Sequence, residues 1–147
     1  VMDLNAKGLF FLTQAMVPLL SVAGTADNPA RVINVGSIAG LRPQKVPTFA
    51  YDASKSAVHM ITRGMASFLA SENITVNAIA PGLVPSSMSK QLETYSDKNT
   101  ILSRIPLGRF GAPSDMAGVC IFLASKAGSW ITGTVIKVDG GALVSRL

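Results

Sequence analysis

Apolar and polar positions change rhythm several times along the chain. From Leu4 to about Leu20 strong helix formers dominate; Leu9, Leu12, Thr13 and Met16 share one face, and Phe10 and Phe11 widen it, which predicts a helix. "SVAGTADNPA" interrupts that period with turn residues and predicts a loop. "RVINV" is a short β-branched run, hence a strand, ending at Gly36-Ser37. "IAGLRPQKVPTF" has prolines and no period, so a loop follows. A second helix is predicted from near Tyr51 to about Ala70, with Ala53, Ala57, Ile61, Gly64 and Phe68 recurring every three or four residues. "ITVNAIA", Ile74 to Ala80, predicts a second strand closed by Pro81-Gly82. The polar stretch from Leu83 to Asp115 is poorly periodic; it has room for short helices and is expected to act as a functional lid. "DMAGVCIFLAS" predicts a third helix introduced by Pro113, and "TGTVIKVDGG" a third strand.

Strands alternating with helices imply βαβ units, a parallel sheet and the α/β class. The near-continuous apolar runs of the strands predict burial on both faces. Ligands of such sheets bind beyond the carboxyl ends of the strands. That rule directs attention to Ser37, to Pro81 through Ser87, and to Asp139 through Gly141.

Composition narrows the choices further. The 147 residues suffice for one domain with a core, and 48% apolar against 14% charged residues is too apolar for disorder. The chain opens on Val1 rather than Met and enters a helix almost at once, so a fragment is expected. The formal charge is +5, yet the 13 Lys and Arg are scattered and no basic run interleaves with aromatics, so no nucleic-acid partner is expected. "GLFFLTQAMVPLL" is broken by Thr13, Gln14 and Pro18 and falls short of a membrane helix, so no membrane partner is expected. The single Cys120 has no partner for a disulfide or a metal set; it is expected to be buried packing in a reducing, cytoplasmic setting, with no metal.

Candidate chemistry lies at the start of the second helix. Tyr51 and Lys55 are spaced i, i+4 and share a face. A free tyrosine, with a pKa near 10, exchanges protons poorly at neutral pH; a nearby cation favours its phenolate and makes it a usable acid or base. Ser37, at the end of the first strand, offers a hydroxyl to a substrate oxygen, and Asn5 lies in the opening helix. This set suits the proton half of carbonyl–alcohol interconversion, whose hydride half needs a nicotinamide. Plainer readings stand beside it. The Tyr-x-x-x-Lys spacing alone is weak evidence, Ser37 is also a turn residue, and Asn5 is also a solvated helix residue. His59 lies one residue beyond the face of Tyr51 and Lys55 and reads as surface or packing; Asp139 with Gly140 and Gly141 reads as a turn.

Taken in order, the motifs resemble the C-terminal part of a short-chain dehydrogenase/reductase. "NAKG" at Asn5 to Gly8 resembles the family's segment with the catalytic asparagine, and "INVGSIAG" at Ile33 to Gly40 the strand ending in the catalytic serine. "YDASK" matches the Tyr-x-x-x-Lys signature, and "VNAIAPGLVPSSM" the strand and Pro-Gly loop at the nicotinamide end of the cofactor. "PLGRFGAPSDMAGVCIFLAS" and "ITGTVIKVDGG" resemble the family's C-terminal helix and last strand. Within the family the chain is most similar to 3-oxoacyl-carrier-protein reductases, including the rhamnolipid-associated type. The family's Thr-Gly-x-x-x-Gly-x-Gly turn, its Asn-Asn-Ala-Gly strand end and its residue selecting NAD or NADP are not in this sequence, and the spacing from Ser37 to Tyr51 is one residue longer than usual.

The resemblance implies a doubly wound, Rossmann-type parallel sheet in which residues 1–147 are the catalytic, C-terminal part of one domain, with the first nucleotide-binding strands lying before it. It implies Asn5, Ser37, Tyr51 and Lys55 as catalytic residues, and Tyr51, Lys55, Pro81, Gly82, Val84 and Ser86 as contacts to NADP or NAD, with NADP slightly ahead. Lys55 would tune Tyr51 and hold the nicotinamide ribose, and Asn5 would position a relay water. Residues Ser87 to about Arg109 would form the substrate lid. A small carbonyl or alcohol substrate and a homodimer or homotetramer through the first two helices are implied as well, with Ala57, Gly64 and Phe68 in the core or the interface. The alternatives are an inactive truncated product or a Rossmann protein that binds nucleotide without turnover.

Overall fold

A computed structural model of the chain describes residues 1–86 and 97–145. A short π-helical segment, Asp3–Gly8, runs straight into α1, Leu9–Ala23. Strand β1, Ala30–Val35, leads through a 3-10 turn, Ile38–Gly40, to α2, Phe49–Leu69. Strand β2, Ile74–Pro81, is followed by the short helix α3, Lys98–Ser103, then α4, Pro113–Ala124, and strand β3, Val135–Val138. The expected order of helices and strands is therefore present, with α3 lying within the predicted lid and residues 87–96 of that lid outside the described residues.

The sheet has three parallel strands in the order β1-β2-β3. Ala30 pairs with Ile74 and Val35 with Ile79, while Ala78 pairs with Val135 and Pro81 with Val138. Ala30 and Val32 of β1 face Val17 and Leu20 of α1 and Met65, Ala66 and Leu69 of α2, with Ile74 and Val76 of β2 completing that core. Between them Arg31 points to the other side and donates to the Ser125 carbonyl at the end of α4 at 3.2 Å. Both faces of the sheet thus carry helices, as alternation along a strand requires. Burial is complete only in the centre: β2 is buried from Ile74 to Ala80, whereas most of β1 and β3 is half-buried. Among the described residues the middle strand is buried as expected, while its neighbours, each paired on one side here, are half-buried. Fully burying Ile74 and Val76 contributes roughly 1.5–3 kcal/mol each.

The predicted helix faces turn only partly toward the sheet. On α1, Leu12, Phe11 and Met16 are exposed, and the side turned inward carries Thr13, Val17 and Leu20. The helix is apolar nearly all round, so apolar period alone does not select its buried face. On α2 the inward face is Ser54, Val58, Thr62 and Ala66 with His59, while Ala53 is exposed, a Cβ on Gly64 would meet nothing within 4 Å and Phe68 is 84% exposed. That inward face carries polar side chains because partners from other elements reach them. Thr62 Oγ1 donates to the Val58 carbonyl at 2.8 Å and receives Asn34 Nδ2 at 2.9 Å. Cys120 is half-buried rather than buried. The helical run Asp3–Ala23 is 21 residues and, by length and composition, long and apolar enough to cross a membrane, contrary to the reading from its interruptions. Core helices reach the same length and composition, and this one packs Val17 and Leu20 against the sheet.

Candidate active site

The turn after β1 is pressed against α2 at both ends. A Cβ on Gly36 would stand 2.2 Å from His59 Nε2, and one on Gly40 would stand 2.5 Å from the Lys55 carbonyl carbon. Only glycine permits either approach. Ser56 Oγ donates to the Gly40 carbonyl at 3.1 Å and adds a direct tie. Ser37 lies between these clamps, 7% exposed, as the N-cap of the 3-10 turn; its Oγ accepts from the Ala39 N–H at 3.1 Å. The structure therefore brings the serine turn against the turn of α2 that bears Lys55.

Helix α2 is set in place by the loop before it. Thr48 Oγ1 donates to Asp52 Oδ1 at 2.9 Å, and the Gln44 N–H donates to Asp52 Oδ2 at 3.3 Å. Asp52 lies in the first turn, where a negative charge suits the helix dipole. The segment between Ser37 and Tyr51 is thus stitched to the helix it introduces.

Lys55 Nζ donates to the Val35 carbonyl at 2.8 Å and lies 5.7 Å from the centroid of the Tyr51 ring. Burial pushes the Lys55 ammonium below the ordinary lysine range. Tyr51 is half-buried at the start of the helix. Asn5 is brought to the same helix from the π-helical segment, a form often found at functional sites. Its Nδ2 donates to Ser54 Oγ at 3.0 Å, and that hydroxyl donates to the Tyr51 carbonyl at 2.7 Å. Ser54, fully buried, is a link the sequence did not single out; its place one turn after Tyr51 and beside Lys55 was the available signal.

His59 is also more than the sequence suggested. It is 2% exposed, so the packing reading holds and the surface reading does not. Its Nε2 accepts from the Ser37 N–H at 3.4 Å. Burial, first, pushes its pKa below the ordinary histidine range; Arg63 and Lys55 act the same way, while the Gly40 carbonyl opposes them.

The loop after β2 leaves the same end of the sheet. Pro81 pairs with Val138, and the Gly82 N–H donates to the Val138 carbonyl at 2.9 Å. A Cβ on Gly82 would stand 2.8 Å from Asp139 Cα, so this glycine seats the loop on the end of β3. Val84 lies against Gly111, and the Gly111 N–H donates to the Leu83 carbonyl at 3.0 Å. Ser86 is exposed where the described segment ends. Asp139 accepts from the Gly141 and Leu143 N–H groups at 3.0 and 2.9 Å, which supports its reading as a turn residue. A cavity of about 440 Å³ opens between this loop and the segment before α4, lined by Leu83, Ile105, Leu107, Arg109, Lys137 and Asp139; Asn5, Ser37, Tyr51 and Lys55 are not in its wall.

The donor set fits the ribose of a nicotinamide nucleotide. One of the three Lys55 N–H donors is taken by Val35, which leaves two for a vicinal diol, beside the phenol of Tyr51. Among the described residues no group of three or more His, Cys, Asp and Glu side chains could hold a metal ion.

Comparison with known proteins gives this arrangement a setting. A family model described as enoyl-(acyl carrier protein) reductase matches residues 1–142. The rhamnolipids biosynthesis 3-oxoacyl-[acyl-carrier-protein] reductase of Pseudomonas aeruginosa is 43% identical over 144 residues, 96% of this chain and 56% of that protein. The 2-dehydro-3-deoxy-D-gluconate 5-dehydrogenase of Escherichia coli is 43% identical over 145 residues, 97% of this chain and 55% of that protein. A solved active-site complex of Pseudomonas aeruginosa RhlG with NADP superposes with a TM-score of 0.88 at 42% identity, covering 97% of this chain and 58% of that one. The chain thus spans a little over half the length of these relatives.

Proposed function

The chain belongs to the short-chain dehydrogenase/reductase family, and on that footing we propose that the protein carrying it interconverts a carbonyl and a secondary alcohol with NADP or NAD. The observation that carries the reading is the clamp of the Ser37 turn onto the turn of α2 that holds Lys55, with Tyr51 one turn earlier. NADP is favoured because a similar protein was solved with it.

When bound, the nicotinamide supplies or accepts the hydride at the substrate carbon. Tyr51 gives its phenolic proton to the carbonyl oxygen, or takes it back when the alcohol is oxidised. Ser37 points a hydroxyl at the same oxygen, and its Oγ is already oriented by the Ala39 N–H. Lys55 keeps a positive charge beside the phenol and donates to the ribose hydroxyls. Asn5 carries the relay water by family resemblance, and through Ser54 it also fixes the backbone of Tyr51. Pro81, Gly82, Val84 and Ser86 form the wall that receives the nicotinamide end. Residues 1–147 serve as the catalytic, C-terminal part of one domain. Homodimers or homotetramers through α1 and α2 fit an apolar groove of about 430 Å³ lined by Phe10, Val17, Ile61, Met65, Phe68 and Leu69.

The test is Tyr51→Phe in the full-length protein. Turnover of reduced nicotinamide with ketone substrates is expected to fall about 10²–10⁴-fold with the fold retained. Undiminished turnover removes Tyr51 from the chemistry. Nucleotide binding without turnover in the unaltered protein selects the non-enzymatic alternative.

A further inference from the structure

The only histidine of the chain, His59, is buried directly behind Ser37, and the chemistry above does not use it. Its ring fills the space between α2 and the serine turn so closely that residue 36 has no room for a Cβ. Nε2 receives the Ser37 N–H at 3.4 Å, and Nδ1 is buried with no partner at full hydrogen-bond geometry, the Gly40 carbonyl being near the ring. A neutral imidazole that accepts at Nε2 carries its proton on Nδ1. A second proton would sit on Nε2 and face the Ser37 N–H, donor against donor. The charges acting on the ring are Lys55 and Arg63, both cationic and both on α2; the elements packed across from it contribute backbone groups, the Ser37 N–H and the Gly40 carbonyl. Among these described groups no carboxylate is positioned to stabilise the imidazolium.

We infer that His59 is a positioning residue for Ser37: the neutral ring holds the serine turn at its working place through the Ser37 N–H, and protonation of the ring releases that turn. The contact is long, so a small displacement is enough to break it. Burial and the two neighbouring cations keep the ring neutral at physiological pH, so release belongs to acid conditions. The inference rests on the reading of Ser37 as the group that holds the substrate oxygen. Its consequence is an acid limit on turnover set by a residue that never touches substrate.

The test has a structural arm and a kinetic arm, both on the full-length protein. In the first, the Ser37 amide and the His59 imidazole are followed by NMR through an acid titration, and the two are expected to move with one midpoint below the ordinary histidine value of about 6.5. In the second, His59→Gln supplies an acceptor that does not titrate. It is expected to keep kcat within about threefold at neutral pH and to lose the corresponding step in the acid limb of kcat. His59→Phe removes the acceptor and is expected to lower kcat at least about tenfold with little change in KM. If that variant does not fold, the titration and the Gln profile still decide. A Ser37 amide indifferent to the His59 titration, or a Gln variant with the unaltered acid limb, overturns the inference. Should Ser37→Ala leave turnover intact while the coupled titration persists, it is the role of Ser37 that falls, and the contact between the two residues stands.

Discussion

After β1 the chain turns through Gly36–Gly40 with both glycines against α2; after β2 it leaves through Gly82 into a loop seated at one glycine on Asp139 and tied farther out by Gly111. The first segment buries Ser37, and the second runs out to an exposed Ser86. Both stand at the carboxyl end of the same parallel sheet. The difference separates two requirements of the proposed reaction. Proton transfer needs groups held in fixed geometry before substrate arrives, because misplacement is costly. Receiving a nucleotide and a variable substrate needs a wall that yields.

Gly40→Ala tests the rigid side and carries the largest expected effect. Its Cβ would meet the backbone of α2, 2.5 Å from the Lys55 carbonyl carbon and 2.7 Å from the Ser56 nitrogen, with no flexible side chain to move aside. A loss of about 1–3 kcal/mol or more in urea unfolding is expected. Turnover should fall about 10²-fold, since the turn can relieve the clash only by carrying Ser37 away from Lys55. A stability change within about 0.5 kcal/mol, the range of ordinary surface substitutions, would show that the clamp is loose and would erase the contrast between the two segments.

How much of this clamp is legible in sequence depends on the residue. Tyr51 and Lys55 are visible because helical spacing is local, and β2 is visible because a central parallel strand is apolar throughout. Ser37 is placed by the end of a strand. The glycines around it read as turn residues, since the reason for them is the backbone of α2, which no local pattern reveals. The buried face of α2 was missed for a related reason. Ser54 and Thr62 look like surface residues until their partners, Asn5 and Asn34, arrive from other elements, and His59, read as surface or packing, proves to be packing behind the Ser37 N–H. Phe68, read as core or interface, is exposed in the single chain. Polarity predicts exposure only where no long-range partner compensates it.

Gly82→Ala tests the yielding side. The added Cβ would stand 2.8 Å from Asp139 Cα and 2.9 Å from its Cβ. These approaches are fewer and less close than the 2.5–2.7 Å contacts at Gly40, so a cost of about 1–2 kcal/mol is expected, toward the low end for overpacking. Cofactor binding, read by fluorescence titration, should weaken about tenfold, the equivalent of about 1.4 kcal/mol, while kcat at saturation changes little. A larger loss of stability than in Gly40→Ala would reverse the comparison and make the loop the rigid member.

The smallest expected effect lies at the outer pin of that loop, where Asp115 takes Arg109 through two hydrogen bonds of 2.8 and 3.0 Å and accepts the Ala112 N–H at 2.7 Å. The Arg109 guanidinium, first, and then the Ala112 N–H hold the Asp115 carboxyl down at about 2. A depressed folded value means that the unfolded chain binds the proton more readily. The contribution of Asp115 is therefore complete above the unfolded value near 4 and disappears as pH falls to about 2. Asp115→Asn keeps an acceptor for Ala112 but removes the charge. Thermal unfolding should show a small deficit at neutral pH that closes between about pH 4 and pH 2, because there the unaltered protein loses the same interaction. Salt should shrink the neutral-pH deficit, since the pair is exposed. A deficit that persists unchanged at pH 2 would mean that Asp115 acts through packing rather than charge. The wall beside the cavity would then be held as firmly as the serine turn.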